Sequence, residues 1–250
     1  MKPIILIPAR LASTRLPNKP LADIAGVPMI VRVWRQAQTA GIGPVIVAAA
    51  DLEIAAAIER AGGVVVMTDP ALGSGSDRIF QALESYDNRG QFDIVVNLQG
   101  DLPDIDPLYI RRVAELLAAS DAEIATLAAP ITDPRDFDNP NVVKPIVAWD
   151  AQEQHGQALY FTRARAPFGE GLLFHHVGIY AYRRDALARF VALAPSPLEL
   201  REQLEQLRAI EAGMRIVVAR VDSVPLSVDT IADLEKARAT LSEVRHDLKD

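Results

Sequence analysis

The chain has 250 residues, of which 50% are hydrophobic and 24% charged, the balance of an ordinary globular protein. It contains no cysteine, which excludes disulfides, thiol nucleophiles and thiolate metal sites. The formal net charge is −7 and no cluster of Lys and Arg is longer than two residues, so nucleic acid is not an expected partner. No apolar run approaches the roughly 18 residues that span a membrane, and we expect a cytoplasmic protein without a membrane partner.

The first half of the chain alternates two patterns. Short runs rich in β-branched residues predict buried strands, and apolar residues at helical spacing predict helices between them. The predicted strands are 3–8, 45–49, 64–67 and 94–98, and the predicted helices are 28–40, 52–61 and 77–86. This alternation predicts βαβ crossovers and a mostly parallel central sheet, an α/β fold.

After about Ala129 the rhythm changes, and regular helices no longer separate the strands. The expected strands are 142–149, 158–161 and 176–182, and the proline-rich tract 130–145 is expected to be an ordered loop. Helices at 185–193 and 197–211, a strand at 216–221 and a final helix from Thr230 follow. Because no flexible linker is visible, we predict one domain, 1–250, with an inserted antiparallel lobe at roughly 130–183; two separate domains are the alternative.

In open α/β sheets, ligands bind beyond the carboxyl ends of the parallel strands. This rule selects the loops after Ile7, Met67 and Leu98. The first loop carries three cations within ten residues, namely Arg10, Arg15 and Lys19. A proline-stiffened cationic loop suits a polyphosphate, although surface ion pairs are an alternative.

The other two loops carry small and acidic residues. The second, GSGSDR at 73–78, opens a helix that Ser74 or Ser76 can cap, and its glycines allow close backbone approach. The third ends in Asp101, which is placed to hold Mg²⁺ against phosphate oxygens or to cap the next helix. Neither GxxxxGK[ST] nor GxGxxG occurs, which argues against P-loop ATPases and nicotinamide oxidoreductases.

Eight strings occur in order along the chain: IPARLASTRLPNKPL, SGSDR, NLQGD, NPNVVK, LYFTRA, HHVGIYAYR, PSPLELREQLEQLR and VDTIADLEKAR. Together, over about residues 3–239, they resemble the 3-deoxy-manno-octulosonate cytidylyltransferase (CMP-Kdo synthetase) family. Each string alone is weak, whereas eight in register are very specific.

The resemblance implies a nucleotide-diphospho-sugar transferase-like fold and a homodimer formed through the inserted lobe. It implies that CTP and 3-deoxy-D-manno-octulosonate (Kdo), the small-molecule partners, become CMP-Kdo and pyrophosphate, with Mg²⁺ as cofactor. That reaction activates Kdo for lipopolysaccharide biosynthesis. Two alternatives stay open: activation of a related acidic sugar, such as 8-amino-Kdo or a sialic acid, and a silent nucleotide-binding protein of the same fold.

The resemblance also implies roles for individual residues. The triphosphate would be held by Arg10, Arg15 and Lys19, and the cytosine would be approached by Ser74 and Gly75. Magnesium would be held by Asp101 and Asp229. The residues expected to line the sugar-acid pocket are Gln99, Arg163, His176, Tyr180 and Glu205. Catalysis would rest on Asp101, Asp229, Lys19 and Arg10.

Four of these residues have structural alternatives. Asp229 could cap the final helix, and Arg163 could make a surface ion pair. His176 could be a hydrogen-bonded strand residue, and Glu205 could lie on a solvated helix face.

Overall fold

The computed structural model describes residues 1–12 and 16–243. The chain divides into two units. The first unit comprises Lys2–Phe92, Asn97–Ile110 and the chain from Pro225, and the second comprises Asp93–Val96 and Arg111–Val224 with Met1. The second unit contains the whole of 130–183, the predicted lobe. The single domain over 1–250 stays a prediction.

Strands and helices are numbered in chain order. The strands are β1 (Pro3–Ala9), β2 (Asp23–Ile24), β3 (Val27–Pro28), β4 (Val45–Ala49), β5 (Val64–Met67), β6 (Ile94–Asn97), β7 (Ile124–Pro130), β8 (Lys144–Trp149), β9 (His155–Thr162), β10 (Phe174–Arg183) and β11 (Ile216–Arg220). The helices are α1 (Met29–Ala40), α2 (Leu52–Arg60), α3 (Gly75–Tyr86), α4 (Pro107–Ala119), α5 (Arg184–Ala192), α6 (Pro197–Glu202), α7 (Leu207–Glu211) and α8 (Ile231–Glu243).

The first unit contains parallel strands in the order β5-β4-β1. Every residue of β4 is buried, as expected for a parallel strand covered on both faces. The prediction that 64–67 is a buried strand is wrong, because Val64 and Met67 are 48% and 45% exposed. The strand β5 stands at the end of the order, and a strand in that position is covered less completely by its neighbours.

The second unit contains the order β6-β10-β7-β11-β9-β8. Within it β7 and β11 are parallel, while β7–β10, β9–β11 and β8–β9 are antiparallel. The strands of 130–183 therefore pair antiparallel, as predicted for the lobe. Its role in forming a dimer stays a prediction.

The helices differ from expectation in two places. The predicted helix 197–211 is two short helices, because Gln203 adopts left-handed backbone angles (φ 53°). The Arg163 side chain binds the carbonyl oxygens of Glu202 and Gln203 at that break, at 2.7 and 3.3 Å. The sequence analysis did not predict α4 or the alanine-rich strand β7, since alanine is depleted in strands. No helix within 1–12 and 16–243 has both the length and the apolar character needed to cross a membrane.

Candidate functional site

A cavity of about 420 Å³ opens in the first unit. Its walls come from the three loops that follow β1, β5 and β6 and from the segment before α8. The lining residues are Pro8, Ala9, Arg10, Ala12, Lys19, Pro20, Ser74, Gly75, Arg78, Gln99, Gly100, Asp101 and Asp229. The three loops that the sequence selects thus meet at one cavity. Arg15, the third predicted phosphate ligand, lies outside the described residues.

One ammonium group lies between two carboxylates in this cavity. The Nζ atom of Lys19 is 2.8 Å from Oδ2 of Asp101 and 2.9 Å from Oδ1 of Asp229. The Lys19 side chain is 17% exposed. Burial alone lowers the pKa of Lys19, but the charges and hydrogen bonds of the two aspartates outweigh burial and raise that pKa above its ordinary value. Lys19 is therefore charged at neutral pH and joins two segments that are distant in sequence.

Local structure fixes the backbone on both sides of this contact. Asn18 is left-handed (φ 55°) and starts a short 3₁₀ turn, Lys19–Leu21. Leu16 and Val228, which flank Lys19 and Asp229, belong to the same buried apolar cluster. The apolar core therefore places both side chains, and the polar contact is built on it.

The N-cap alternative for Asp229 is wrong, because Thr230 caps α8. The Thr230 hydroxyl accepts from the backbone N–H of Asp233 at 3.2 Å, and the Asp233 carboxylate accepts from the backbone N–H of Thr230 at 2.9 Å. This reciprocal pair is a capping box. At the start of α4 it is Asp106, not Asp101, that accepts a backbone N–H. Neither of these two helix caps uses the Asp101 or the Asp229 carboxylate, and both carboxylates contact Lys19.

Small residues bring the cavity walls close together. The Ser74 hydroxyl accepts from the backbone N–H of Asp77 at 3.0 Å and caps α3, as one of the predicted alternatives states. A Cβ at Gly75 would lie 3.3 Å from Cγ of Pro8 and 3.7 Å from Oε1 of Gln99. A Cβ at Gly100 would lie 3.1 Å from the Pro8 carbonyl oxygen. Glycine at both positions lets the three loops approach one another.

The sequence analysis missed Arg78, a buried cation in the cavity wall. Its guanidinium donates to the Thr68 hydroxyl at 2.7 Å and to the Asp69 carbonyl at 3.1 Å. Burial, and then the nearby charge of Arg10, lower the pKa of Arg78. The available signal was its place in SGSDR, four residues after Ser74 and so on the same side of the helix. Arg10 and Arg78 together make this part of the cavity electropositive.

His176 lies in the second unit and forms a buried network with Thr126. Its Nε2 atom is 2.9 Å from the Thr126 hydroxyl oxygen, and that hydroxyl donates to the Ile179 carbonyl at 2.8 Å. The tautomer of the ring decides whether Nε2 donates to the hydroxyl or accepts from it. Burial, and then the charge of His175, lower the pKa of His176 to about 3. The ring is therefore neutral at neutral pH, and one of its two nitrogens is an acceptor.

Tyr180 lies beside His176, and Glu205 acts on Tyr180 through its charge. The rings of Tyr180 and His176 are 5.4 Å apart. Burial, and then Tyr182 and the charge of Glu205, raise the pKa of Tyr180 well above its ordinary value. Glu205 is partly buried, with Oε1 3.9 Å from Nη2 of Arg208. Glu205 does not lie on a fully solvated helix face, and the second unit brings His176 and Tyr180 together.

Arg163, also in the second unit, binds backbone carbonyls. Beyond the contacts at the helix break, its Nη1 atom donates to the Pro140 carbonyl at 2.9 Å. Glu202, which the sequence analysis missed, accepts from the Arg163 backbone N–H and the Thr162 hydroxyl at 2.9 and 2.8 Å. Arg163 therefore joins the proline-rich loop to the break between α6 and α7. Gln99, the fifth predicted sugar residue, belongs to the first unit.

The donor groups around Lys19 fit a magnesium ion that a substrate completes. Among residues 1–12 and 16–243, no three His, Asp or Glu side chains form a potential metal site. Asp101 and Asp229 nevertheless direct oxygens at one common cation, the Lys19 ammonium. Mg²⁺ is commonly held by one or two carboxylates together with substrate phosphates and waters. The pair has the right chemistry for such a site.

Comparisons with known proteins agree on one family. A family model described as Cytidylyltransferase matches residues 4–216. A 3-deoxy-manno-octulosonate cytidylyltransferase of Parvibaculum lavamentivorans is 61% identical over 240 residues, covering 96% of this chain and 93% of the relative. A protein of the same name from Methylobacterium radiotolerans is 62% identical over 239 residues, covering 96% of each. The solved structure of CMP:2-keto-3-deoxy-manno-octonic acid synthetase complexed with CTP matches with a TM-score of 0.89 and 37% identity, covering 97% of this chain and 99% of that one. This likeness confirms the predicted fold class.

Proposed function

The chain belongs to the cytidylyltransferase family, and from this premise we propose that it converts CTP and Kdo to CMP-Kdo and pyrophosphate. The observation that carries the proposal is the first-unit cavity, where Arg10, Lys19 and two aspartates line one space. A site with cations for phosphates and paired carboxylates for a metal suits nucleotidyl transfer. The relatives that are 61% and 62% identical to this chain are named for that reaction. CMP-Kdo is the activated form of the sugar in lipopolysaccharide biosynthesis.

We propose that the nucleotide occupies this cavity. Arg10 and Lys19 supply charge-assisted contacts to the triphosphate, and Arg15 is proposed to join them. Ser74 and Gly75 are proposed to meet the cytosine, because the absence of a side chain at Gly75 leaves the backbone accessible there.

In the proposed reaction the anomeric hydroxyl of Kdo attacks the α-phosphorus of CTP. The new bond joins the sugar oxygen to the α-phosphorus, and the bond from the α-phosphorus to the oxygen that bridges it to the β-phosphorus breaks. Pyrophosphate leaves with that oxygen and its electron pair, and the hydroxyl proton passes to solvent. Asp101 and Asp229 are proposed to hold Mg²⁺, which would neutralise charge on the phosphates as pyrophosphate departs. Lys19 and Arg10 stabilise the same developing charge from the cavity wall. Positioning and charge neutralisation account for most of catalysis in such a step.

The sugar acid is proposed to contact Gln99, Arg163, His176, Tyr180 and Glu205. His176 is neutral, and its Nε2 atom is within hydrogen-bond distance of the Thr126 hydroxyl, so we propose that Nδ1 meets a sugar hydroxyl. The guanidinium of Arg163 has five N–H donors, and its three carbonyl contacts leave donors for a carboxylate.

We propose a homodimer formed through the lobe 130–183, in the cytoplasm, where CTP is available. The support is apolar surface in the lobe: Phe168 is fully exposed, and Leu159 and Leu172 are each 54% exposed. Large exposed apolar side chains favour association. Light scattering at working concentration measures the mass of the particle. A mass equal to that of one chain would contradict the proposed dimer.

A pyrophosphate-release panel tests the function directly. The panel crosses CTP, UTP, ATP and GTP with Kdo, 8-amino-Kdo and a sialic acid, with Mg²⁺ or with EDTA. We expect release with CTP, Kdo and Mg²⁺ and a large loss with EDTA or another nucleotide. Faster pyrophosphate release with another sugar would mean that this sugar, and not Kdo, is the acceptor substrate. CTP binding without release from any pair would indicate a silent nucleotide-binding protein.

A further inference from the structure

The first unit places a cation of its own chain at the proposed metal site. The Lys19 ammonium is within hydrogen-bond distance of both carboxylates, at 2.8 Å for Asp101 and 2.9 Å for Asp229. A divalent cation that used the same two oxygens would meet this ammonium at close range. Two cations with no anion between them repel strongly in a partly buried site, so Lys19 must move when a metal binds.

We propose that Lys19 and the divalent cation exchange at the Asp101–Asp229 pair. Lys19 balances one of the two carboxylate charges while the nucleotide is absent, and it moves to the triphosphate when the nucleotide and metal enter. This inference rests on the proposed function, because it takes the pair as the metal site and the triphosphate as the other partner of Lys19. Its consequence is an order of binding in which nucleotide comes before metal. The free protein binds the metal weakly, and bound nucleotide strengthens metal binding.

The charges explain why the nucleotide is needed. Lys19, Asp101 and Asp229 together carry one net negative charge, so a divalent cation added to all three leaves an excess of positive charge. The triphosphate brings enough negative charge to accommodate both cations. Its oxygens also complete the coordination that two carboxylates leave unfinished.

The backbone around the site allows this exchange without a large movement. The Val228 backbone N–H donates to the Asp101 carbonyl at 3.0 Å, so the two aspartate segments are joined without Lys19. The Lys19 backbone is held by its 3₁₀ turn. Its side chain is a flexible four-carbon stem with a rotatable ammonium. Rotation of one side chain is therefore sufficient, and replacing Lys19 leaves the carboxylates in place.

The test measures binding of Mn²⁺ alone, by the EPR signal of free Mn²⁺, with and without CTP. Without nucleotide, Lys19→Met and Lys19→Gln should bind Mn²⁺ about 10- to 100-fold more tightly than the parent, the range expected for removing a competing charge-assisted contact. Lys19→Arg keeps the charge and should resemble the parent. Arg60→Met, which removes an exposed charge at the end of α2, should also resemble it.

The outcomes separate this inference from the proposed function. Equal Mn²⁺ affinity of the parent and of whichever neutral Lys19 variant folds, measured without nucleotide, overturns the exchange. A gain of the same size in Arg60→Met also overturns it, since the effect would then be a general loss of positive charge. Undiminished CTP-dependent Mn²⁺ binding in both Asp101→Asn and Asp229→Asn would instead overturn the proposed metal site.

Discussion

Replacing Asp229 with asparagine tests the carboxylate without disturbing the helix that follows it. The capping box of α8 uses Thr230 and Asp233, so it stays intact in this variant. The Asp229 side chain is 39% exposed, and an ion pair at such a position contributes about 0–1 kcal/mol. We therefore expect the free energy of unfolding to change by no more than about 1 kcal/mol.

The effect on activity should be much larger. Asparagine offers a neutral oxygen where the proposed site needs a charged one, and it no longer balances Lys19. Loss of one electrostatic contact to the reacting charge typically costs about 10²–10³-fold in kcat, or about 2.7–4 kcal/mol. We expect a loss of that size for Asp229→Asn.

The assay is pyrophosphate release from CTP and Kdo at saturating Mg²⁺, together with urea denaturation of the same preparation. Asp23→Asn is the matched control, since its carboxylate accepts from Gly26 N–H in an exposed turn of the same unit. The reasoning is refuted if Asp229→Asn turns over at near the parental rate. It is also refuted if the activity falls only in proportion to unfolding.

Three further predictions follow from the second unit and from the helix cap. Arg163→Lys loses the planar fork that binds three carbonyls, so it should lower the unfolding free energy by about 1–2 kcal/mol and raise the KM for Kdo. A KM effect on CTP alone would contradict that placement. Thr230→Ala should cost about 1 kcal/mol, or about 2–4 °C in Tm, with most activity kept; a loss as large as that of Asp229→Asn would implicate the helix start instead. The pKa of His176, about 3 in the fold, lies below its ordinary value, so the unfolded chain takes up a proton that the folded chain excludes as pH falls below about 6.5. Stability is therefore kept above that pH and lost toward pH 3, by about 2 kcal/mol at pH 5. His175, whose pKa burial also lowers, acts in the same direction. The loss should be smaller in His176→Asn, as urea midpoints at pH 7 and pH 5 would show.

Local patterns predicted the parallel strands of the first unit well. The run Val45–Ala49 is continuous and apolar, and its bounds agree with the structure. The same kind of run at Val64–Met67 correctly predicted a strand. The prediction that this strand is buried was wrong, because burial depends on what covers the strand. A strand at the end of the order cannot be distinguished by its own residues from a central one.

Local sequence patterns could not predict contacts between residues that are distant in the chain. The helix break at Gln203 is bound by Arg163, which lies 40 residues earlier in the chain. No pattern within 197–211 predicts this break. Arg78 sits in a helical pattern in which an arginine would ordinarily face solvent. The resemblance placed Asp101 and Asp229 at one magnesium ion but did not predict that Lys19 contacts both, because that contact depends on how the loops fold together.

The separation of these three residues has a consequence for how the protein is made. Lys19 and Asp229 are 210 positions apart, so a ribosome that adds about 5–20 residues per second synthesises the second carboxylate many seconds after the lysine. During most of translation the nascent chain holds Lys19, and then Asp101, without their third partner. Because the proposed metal site needs Asp229, a chain released early from the ribosome would contain the loop that we propose to bind phosphate but would lack the proposed metal site.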